Sequence, residues 1–457
     1  MPPTLPLDHL RRLRFSAATA AFQIEGARAA DGRGACIWDE FVDTPGRVAD
    51  GTTADPGADS YHRWREDVAL AAGLGLDRYR FSISWTRVQP GGRGRAEPRG
   101  LGYYSRLVDA LLDAGVTPFP TLYHWDLPVE LQAVGGWLNR DTAYRFAEYT
   151  ALVADRLGDR VRHWYTLNEP AMTTLQGYGI GTLAPGQVLL FDALPTVHHQ
   201  LLAHGLAVSV LRAAGAAAVG LANNHTHVLP GSDSAADARA AAVYDLLHNR
   251  LFAEPILLGT YPDLAPLGGP GLPIHDGDLD LIAQRPDFYA VNFYNPTTIG
   301  ASAPGNPVPF ELLPTPGVPV TGFGVEWPIM PAALTALLTG LTARYGAALP
   351  PLIVSENGAS FPEPDGAGRV DDTARIAYLD GHLRAVAAAM ADGATVKEYT
   401  VWSLLDNFEW AEGYTQRFGL THVDFTTGER TPKASYDWYR DVIAAARTAA
   451  PDHGGLA

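Results

Sequence analysis

The chain has 457 residues, 47% of them hydrophobic, enough to bury a large core as one big domain or two ordinary ones. Its formal charge of −16 disfavours nucleic-acid or anionic-membrane partners, and its single cysteine, Cys36, excludes an intramolecular disulfide and a cysteine zinc cluster, leaving it as a small buried apolar residue. No apolar run is long enough to span a bilayer, and the Arg11-Arg12 pair ahead of residues 16–22 meets Gln23 and Glu25 with no cleavage site, so a soluble cytoplasmic protein with a neutral or weakly charged small ligand is expected.

In chain order, segments rich in Val, Ile, Phe and Tyr predict eight strands, over 15–23, 77–85, 117–124, 163–168, 219–227, 288–294, 352–355 and 399–404. Between them fall predicted helices over 60–72, 104–114, 141–157, 195–214, 331–345 and 372–391. Asp141 and Asp372 stand where helix caps belong, and Gly73, Gly115 and Gly215 stand at helix ends. Eight strands alternating with helices predict a single (β/α)8 TIM barrel over residues 1–457, its active site at the C-terminal ends of the strands. Two Pro/Gly-rich insertions, 261–277 and 301–324, read as loops that wall a pocket rather than as interdomain linkers.

Polar and aromatic side chains gather at the predicted strand ends. Gln23 and Glu25 follow the first strand, Arg80 lies in the second, and His124-Trp125-Asp126 and Asn168-Glu169-Pro170 follow the third and fourth. Asn292 and Tyr294 lie on the sixth, Glu356-Asn357-Gly358 on the seventh, and Trp402 with Glu409-Trp410 on the eighth. Strands four and seven face each other across an eight-stranded barrel, so Glu169 and Glu356 can approach one bond from either side. Glycosidic cleavage by retention needs such a pair, about 5–5.5 Å apart, one protonated and one ionised.

Two histidine groups have competing readings. His225 and His227 alternate on the fifth strand like metal ligands, but no third ligand stands at a convincing spacing, and no metal is expected. His198, His199 and His204 sit in a predicted helix as a packed or solvated face.

The segments Ala21-Phe22-Gln23-Ile24-Glu25-Gly26, Tyr79-Arg80-Phe81-Ser82-Ile83-Ser84-Trp85, Leu122-Tyr123-His124-Trp125-Asp126-Leu127-Pro128, Thr166-Leu167-Asn168-Glu169-Pro170, Ser355-Glu356-Asn357-Gly358 and Trp402-Ser403-Leu404-Leu405-Asp406-Asn407-Phe408-Glu409-Trp410 resemble, in order, those of glycoside hydrolase family 1, the β-glucosidase family. The resemblance implies a retaining β-glycosidase acting on terminal β-D-glucosyl, galactosyl or fucosyl residues through a covalent glycosyl-enzyme, with no cofactor. It implies Glu169 as acid/base and Glu356 as nucleophile, Asn168 on the sugar 2-hydroxyl, and Arg80 and Tyr294 keeping Glu356 ionised and aimed. It further implies Gln23, His124, Glu409 and Trp410 gripping the other hydroxyls, Trp402 beneath the ring, and Trp327 against the leaving group. Phe418 joins the substrate-binding set, with Asn292 and Trp125 in support. A phosphate-specific branch of the family lacks the glutamate at position 409, and a carboxylate there repels phosphate. Transglycosylation at the same site, or a non-catalytic sugar-binding relative, are the alternative readings. Two departures from the family pattern, Asn224-His225-Thr226-His227 and Thr421-His422, touch no catalytic position and bear on substrate preference. Oligomeric state and aglycone are not read from the sequence.

Overall fold

The computed structural model describes residues 5–268, 271–363 and 370–448. Eight parallel strands close into a barrel: β1 (Arg14–Thr19), β2 (Arg78–Ser82), β3 (Thr117–Tyr123), β4 (His163–Asn168), β5 (Ala218–Asn224), β6 (Tyr289–Asn292), β7 (Leu352–Asn357) and β8 (Val396–Trp402). Each pairs with the next, and β8 returns to β1 in a register that sets Phe15 against Tyr399 and Ala18 against Trp402.

The main helices after successive strands are α1 (Ser60–Leu74), α2 (Pro98–Asp113), α3 (Asp141–Leu157), α4 (Pro195–Ala213), α5 (Leu251–Leu258), α6 (Pro331–Tyr345), α7 (Thr373–Ala391) and α8 (Ala434–Thr448). Sequence explains their ends. Pro98 opens α2, Glu97 accepts from the Arg99 amide at 3.1 Å, and Gly115 (φ 75°) follows its end. One face of this helix buries Tyr103, Tyr104, Leu107, Val108 and Leu111, the spacing of an amphipathic stripe.

Several boundaries differ from the sequence expectation, each for a local reason. α1 runs past Gly73 to Leu74, because Gly75 (φ 72°) is the left-handed cap. Gly73 stays inside, where a Cβ would fall 2.7 Å from the Tyr436 hydroxyl. Asn139, not Asp141, accepts at the start of α3, from the Asp141 amide at 3.0 Å. Asp372 turns its carboxylate to Arg375 and Ser435 rather than capping α7. The first and fifth strands are shorter than expected, ending at Thr19 and Asn224, so Gln23 lies on a helical turn (Ala21–Ile24) and His225 and His227 lie beyond the strand. Apolar pattern continues past these strands because the loops themselves are buried at the pocket, which periodicity alone does not separate from strand.

The second insertion is not plain loop: Glu311–Leu313, Val320–Thr321 and Gly324–Pro328 are strands. The last of these carries Trp327. In the first insertion, where residues 269 and 270 lie outside the described residues, Tyr261 packs on His198 in the first turn of α4.

Apolar packing forms three bodies. The largest fills the space between barrel and helices. A small one inside the barrel joins Phe119, Tyr165, Ala222, Phe288, Ala290 and Ile353 and plugs its lower half. A third, of Ala18, Ala20, Trp402 and Phe418 with Tyr294, Phe323 and Trp327 against them, lines one side of the upper mouth. No helix among the described residues is long and apolar enough to cross a membrane.

The barrel ladder is interrupted beside both glutamates. Register shifts between Tyr165 and Asn168 on β4, and between Val354 and Glu356 on β7, re-aim the residues that follow. Gly358 then passes so close to β8 that a Cβ would lie 1.8 Å from the Trp402 carbonyl oxygen. Gly358→Ala is therefore expected to cost about 2–3 kcal/mol by overpacking, measured as a lower midpoint in urea unfolding. An unchanged midpoint contradicts this close approach.

Candidate active site

Most of the residues named at the strand ends contact one another at one end of the barrel, while Glu25 turns to Arg87 and Tyr104 and Asp126 to the Trp85 amide. Arg80, pointing inward from β2, organises them. Its Nη1 donates to Glu356 Oε1 at 2.5 Å and to the Ser355 carbonyl at 3.1 Å. Its Nη2 donates to Asn168 Oδ1 at 2.6 Å, and its Nε to Thr121 Oγ1 at 3.2 Å. The guanidinium also lies over the Tyr165 ring, 4.7 Å from the centroid, so apolar packing from below fixes the plane of the fork.

Glu356 is held from its other side by the Tyr294 hydroxyl, which donates to Oε2 at 2.5 Å. Glu169 Oε1 receives Asn292 Nδ2 at 2.7 Å, and the same amide donates to Asn168 Oδ1 at 3.0 Å. Asn292 is the register partner of Glu356, and its Oδ1 accepts from Ser355 Oγ at 2.6 Å. The two glutamates are thus tied into one polar network through Asn168, Asn292 and Arg80. Glu169 itself sits in left-handed backbone (φ 47°), an uncommon conformation for a residue with a Cβ, and its amide donates to the Ala222 carbonyl at 2.8 Å.

The electrostatics of the two differ. Burial pushes Glu169 up to about 8, the charge of nearby Glu356 adds to the rise, and the amides of Asn292 and Asn224 oppose it. Burial also raises Glu356, but Arg80 and Tyr294 pull it back. A third carboxyl, Glu409, half-buried, is pushed up to about 8 by desolvation and then by Glu356 and Glu169. Burial, with Arg80 adding, holds His124 well below the ordinary histidine value, so it is neutral.

Around the carboxyls stand hydroxyl-binding groups and rings. Gln23 Nε2 donates to Asn407 Oδ1 and the Phe408 carbonyl, both at 2.9 Å, while its buried Oε1 has no partner among the described residues. Asn168 Nδ2 lies 3.0 Å from His124 Nε2, and Trp125 Nε1 donates to the Asn168 carbonyl at 3.0 Å. Trp402 and Trp410 each stack near His124, with centroids 5.9 Å away. In the same cluster as Trp402, Trp327 stacks on Phe323 at 4.3 Å and packs on Tyr294 and Phe418. The arrangement frames a recess with aromatic rings on its wall and, at its base, a carboxyl that holds its proton beside one that a cation helps to ionise.

The histidine groups resolve into packing. His198 contacts Asp278 at 2.8 Å, His199 the Trp137 carbonyl at 2.9 Å and His204 Thr166 Oγ1 at 2.7 Å, all buried. His225 is buried between Asn249 Oδ1 and the Tyr289 hydroxyl, and His227 is half-buried. One departure does touch a catalytic candidate, against expectation: Asn224 Nδ2 donates to Glu169 Oε1 at 3.2 Å. His422 of the other joins Glu363 and Asp406, whose ligand atoms lie within 4.8 Å of one another. Lys433, Arg375 and Arg417 already pair with those carboxylates, so the charge a cation would answer is met. The sequence does not single out Asn224, which stands in a segment notable only as unusual, or Phe323, which lies in the predicted insertion without a motif.

The profile of glycosyl hydrolase family 1 matches residues 5–448. A thermostable beta-glucosidase B of Thermobispora bispora is 46% identical over 440 residues, 94% of this chain and 89% of that protein. A bifunctional beta-D-glucosidase/beta-D-fucosidase of Bifidobacterium breve is 43% identical, over 94% of this chain and 97% of its own. The crystal structure of a psychrophilic beta-glucosidase from Micrococcus antarcticus superposes with a TM-score of 0.90 at 44% identity, over 96% of this chain and 97% of that one.

A glutamate whose folded pKa is about 8 binds its proton more tightly than in the unfolded chain, so its contribution to stability falls as pH rises between the two values. Glu169→Gln removes that loss: it is expected to stabilise the protein at about pH 9 by about 3–4 kcal/mol more than at about pH 5. Equal effects at both pH values, measured by denaturant unfolding, contradict the burial argument.

Proposed function

Because the chain belongs to glycosyl hydrolase family 1, we propose that Glu169 and Glu356 carry out its retaining hydrolysis of β-glucosides, as proton donor and nucleophile. The observation that carries this assignment is that the one guanidinium at the base of the recess contacts Glu356 and not Glu169. Two neighbouring buried carboxyls cannot both ionise cheaply, and the one with the cation ionises first.

In the first step Glu356 attacks the anomeric carbon while the glycosidic bond breaks and the leaving oxygen takes the Glu169 proton. The new ester removes the Glu356 charge. Glu169, now without its repelling neighbour, keeps its ionised form and takes a proton from the incoming water, whose oxygen displaces Glu356. Asn168, fixed by Arg80 and Asn292 through its carbonyl, presents its Nδ2 towards the sugar 2-hydroxyl. Gln23 Oε1 accepts from a hydroxyl farther round the ring, and Glu409 binds there as well. Trp402 supports the ring face, and Trp327 with Phe323 flanks the leaving group.

Glucose configuration is favoured by the relatives, and the fucosidase activity named for the Bifidobacterium protein supports tolerance at the 4- and 6-positions. An unphosphorylated sugar fits best. Glu409 stands where a 6-phosphate would need a cation, and Arg80 is spent on Glu356 and Asn168. Retention of both carboxyls in one network speaks against a non-catalytic sugar binder.

Incubation with a 2-deoxy-2-fluoro-β-glucosyl donor bearing a good leaving group is expected to add one fluoroglucosyl unit to the peptide containing Glu356, read by mass spectrometry. A label on any other residue, or none, contradicts the assignment. In Glu169→Gln, turnover of alkyl glucosides is expected to fall about 10²–10⁴-fold. The alkaline limb of kcat/KM near pH 8, where the wild type loses its acid, is expected to disappear with it.

A further inference from the structure

Glu169 Oε1 accepts two amides, one from Asn292 and one from Asn224. Asn224 ends β5, and its Oδ1 lies 3.1 Å from His248 Nε2. The His248 Nδ1 lies 3.4 Å from the Tyr244 hydroxyl, and the two rings stack with centroids 5.3 Å apart. His248 touches neither glutamate, and the proposed reaction gives it no task.

We propose that His248 is a positioning residue for proton transfer: its Nε2–H holds the Asn224 carbonyl so that the amide nitrogen, not the oxygen, faces Glu169. The inference rests on Glu169 being the proton donor. A side-chain amide has two ends of opposite consequence. With nitrogen towards Glu169 it donates, and so favours the carboxylate. With oxygen towards Glu169 it accepts, and so favours the acid. Which end faces the glutamate depends on what stands behind the amide, and there a ring N–H selects oxygen.

The histidine can hold that role steadily. Burial, with His225 adding, lowers it to about 4, so near neutral pH it carries one ring proton. A hydroxyl donated by Tyr244 to Nδ1 leaves that proton on Nε2. The groups around it are themselves tied down: Asp245 by Asn249 Nδ2 at 2.8 Å and by Arg344 at 3.0 Å, and His225 by Asn249 and Tyr289. His248 lies on a π-helical turn, Leu246–Arg250, a geometry that often marks functional sites. Asn249 of the same turn latches it to the chain after β5, accepting from the Thr226 amide at 3.2 Å and donating to the Thr226 carbonyl at 2.9 Å. The strand end that carries Asn224 and the turn that carries His248 therefore move as one piece.

The test is the pH dependence of kcat/KM for an alkyl glucoside, whose poor leaving group needs the acid. In His248→Leu and in Asn224→Leu the alkaline limb is expected to move about half to one unit higher, because the carboxylate loses a donor. The double variant is expected to move no further than either single, and His248→Gln, which restores an N–H donor, to return the limb towards its original position. An unmoved limb in Asn224→Leu, or shifts that add in the double variant, overturns the relay; the Asn224 variant carries the test should His248→Leu fail to fold. Failure of the parent reading looks different: there the limb persists in Glu169→Gln.

Discussion

A single guanidinium makes two buried carboxyls, with a third half-buried beside them, electrostatically unequal. Glu169 and Glu356 are nearly sealed from water and Glu409 is half-buried; the charge of Glu356 raises the cost of ionising Glu169, and both raise that of Glu409. Arg80 touches only Glu356. Its charge is what makes two chemically identical side chains unequal, and the proposed division of labour between donor and nucleophile follows from that inequality. Remove the asymmetry and the recess holds only mutually repelling acids.

Placing that guanidinium takes the whole barrel. Arg80 lies in register between Ala18 and Phe119, small on one side and flat on the other, and rests on Tyr165 over the apolar plug. Its contacts reach β3, β4 and β7, so the fork is met by partners from across the circle. The glutamates arrive through irregular backbone: a shifted register before each, and a left-handed residue at Glu169. Such conformations persist only where surrounding packing over-determines them. Here three asparagines do much of that work, since Asn168, Asn224 and Asn292 satisfy carboxylate oxygens or one another without adding charge. Neutral amides satisfy these oxygens while leaving the field of Arg80 undiluted.

Much of this was legible in the sequence. Strand and helix alternation gave the barrel, and residues at strand ends gave the mouth, because a parallel barrel delivers side chains there wherever its loops lead. What periodicity did not carry was the exact stopping point of β1 and β5, since pocket loops are as buried as strands. Asn224 was hidden for the same reason, inside a predicted strand and among histidines that drew attention as metal ligands. His248 left no signal at all: its meaning comes from a π turn and a latch to a distant strand, and neither has a sequence period. Trp327 is legible from its motif, yet the strand that presents it is not: the predicted insertion stops at 324 and nothing is predicted over 325–330, because Gly and Pro there mask a short antiparallel pair.

The claim that one cation sets two different proton states is tested most directly by neutron diffraction from deuterated crystals near neutral pH. The account predicts a deuteron on Glu169 and a bare carboxylate on Glu356, its oxygens receiving Arg80 and Tyr294. A deuteron on Glu356, or an unprotonated Glu169 beside it, contradicts the account at its root.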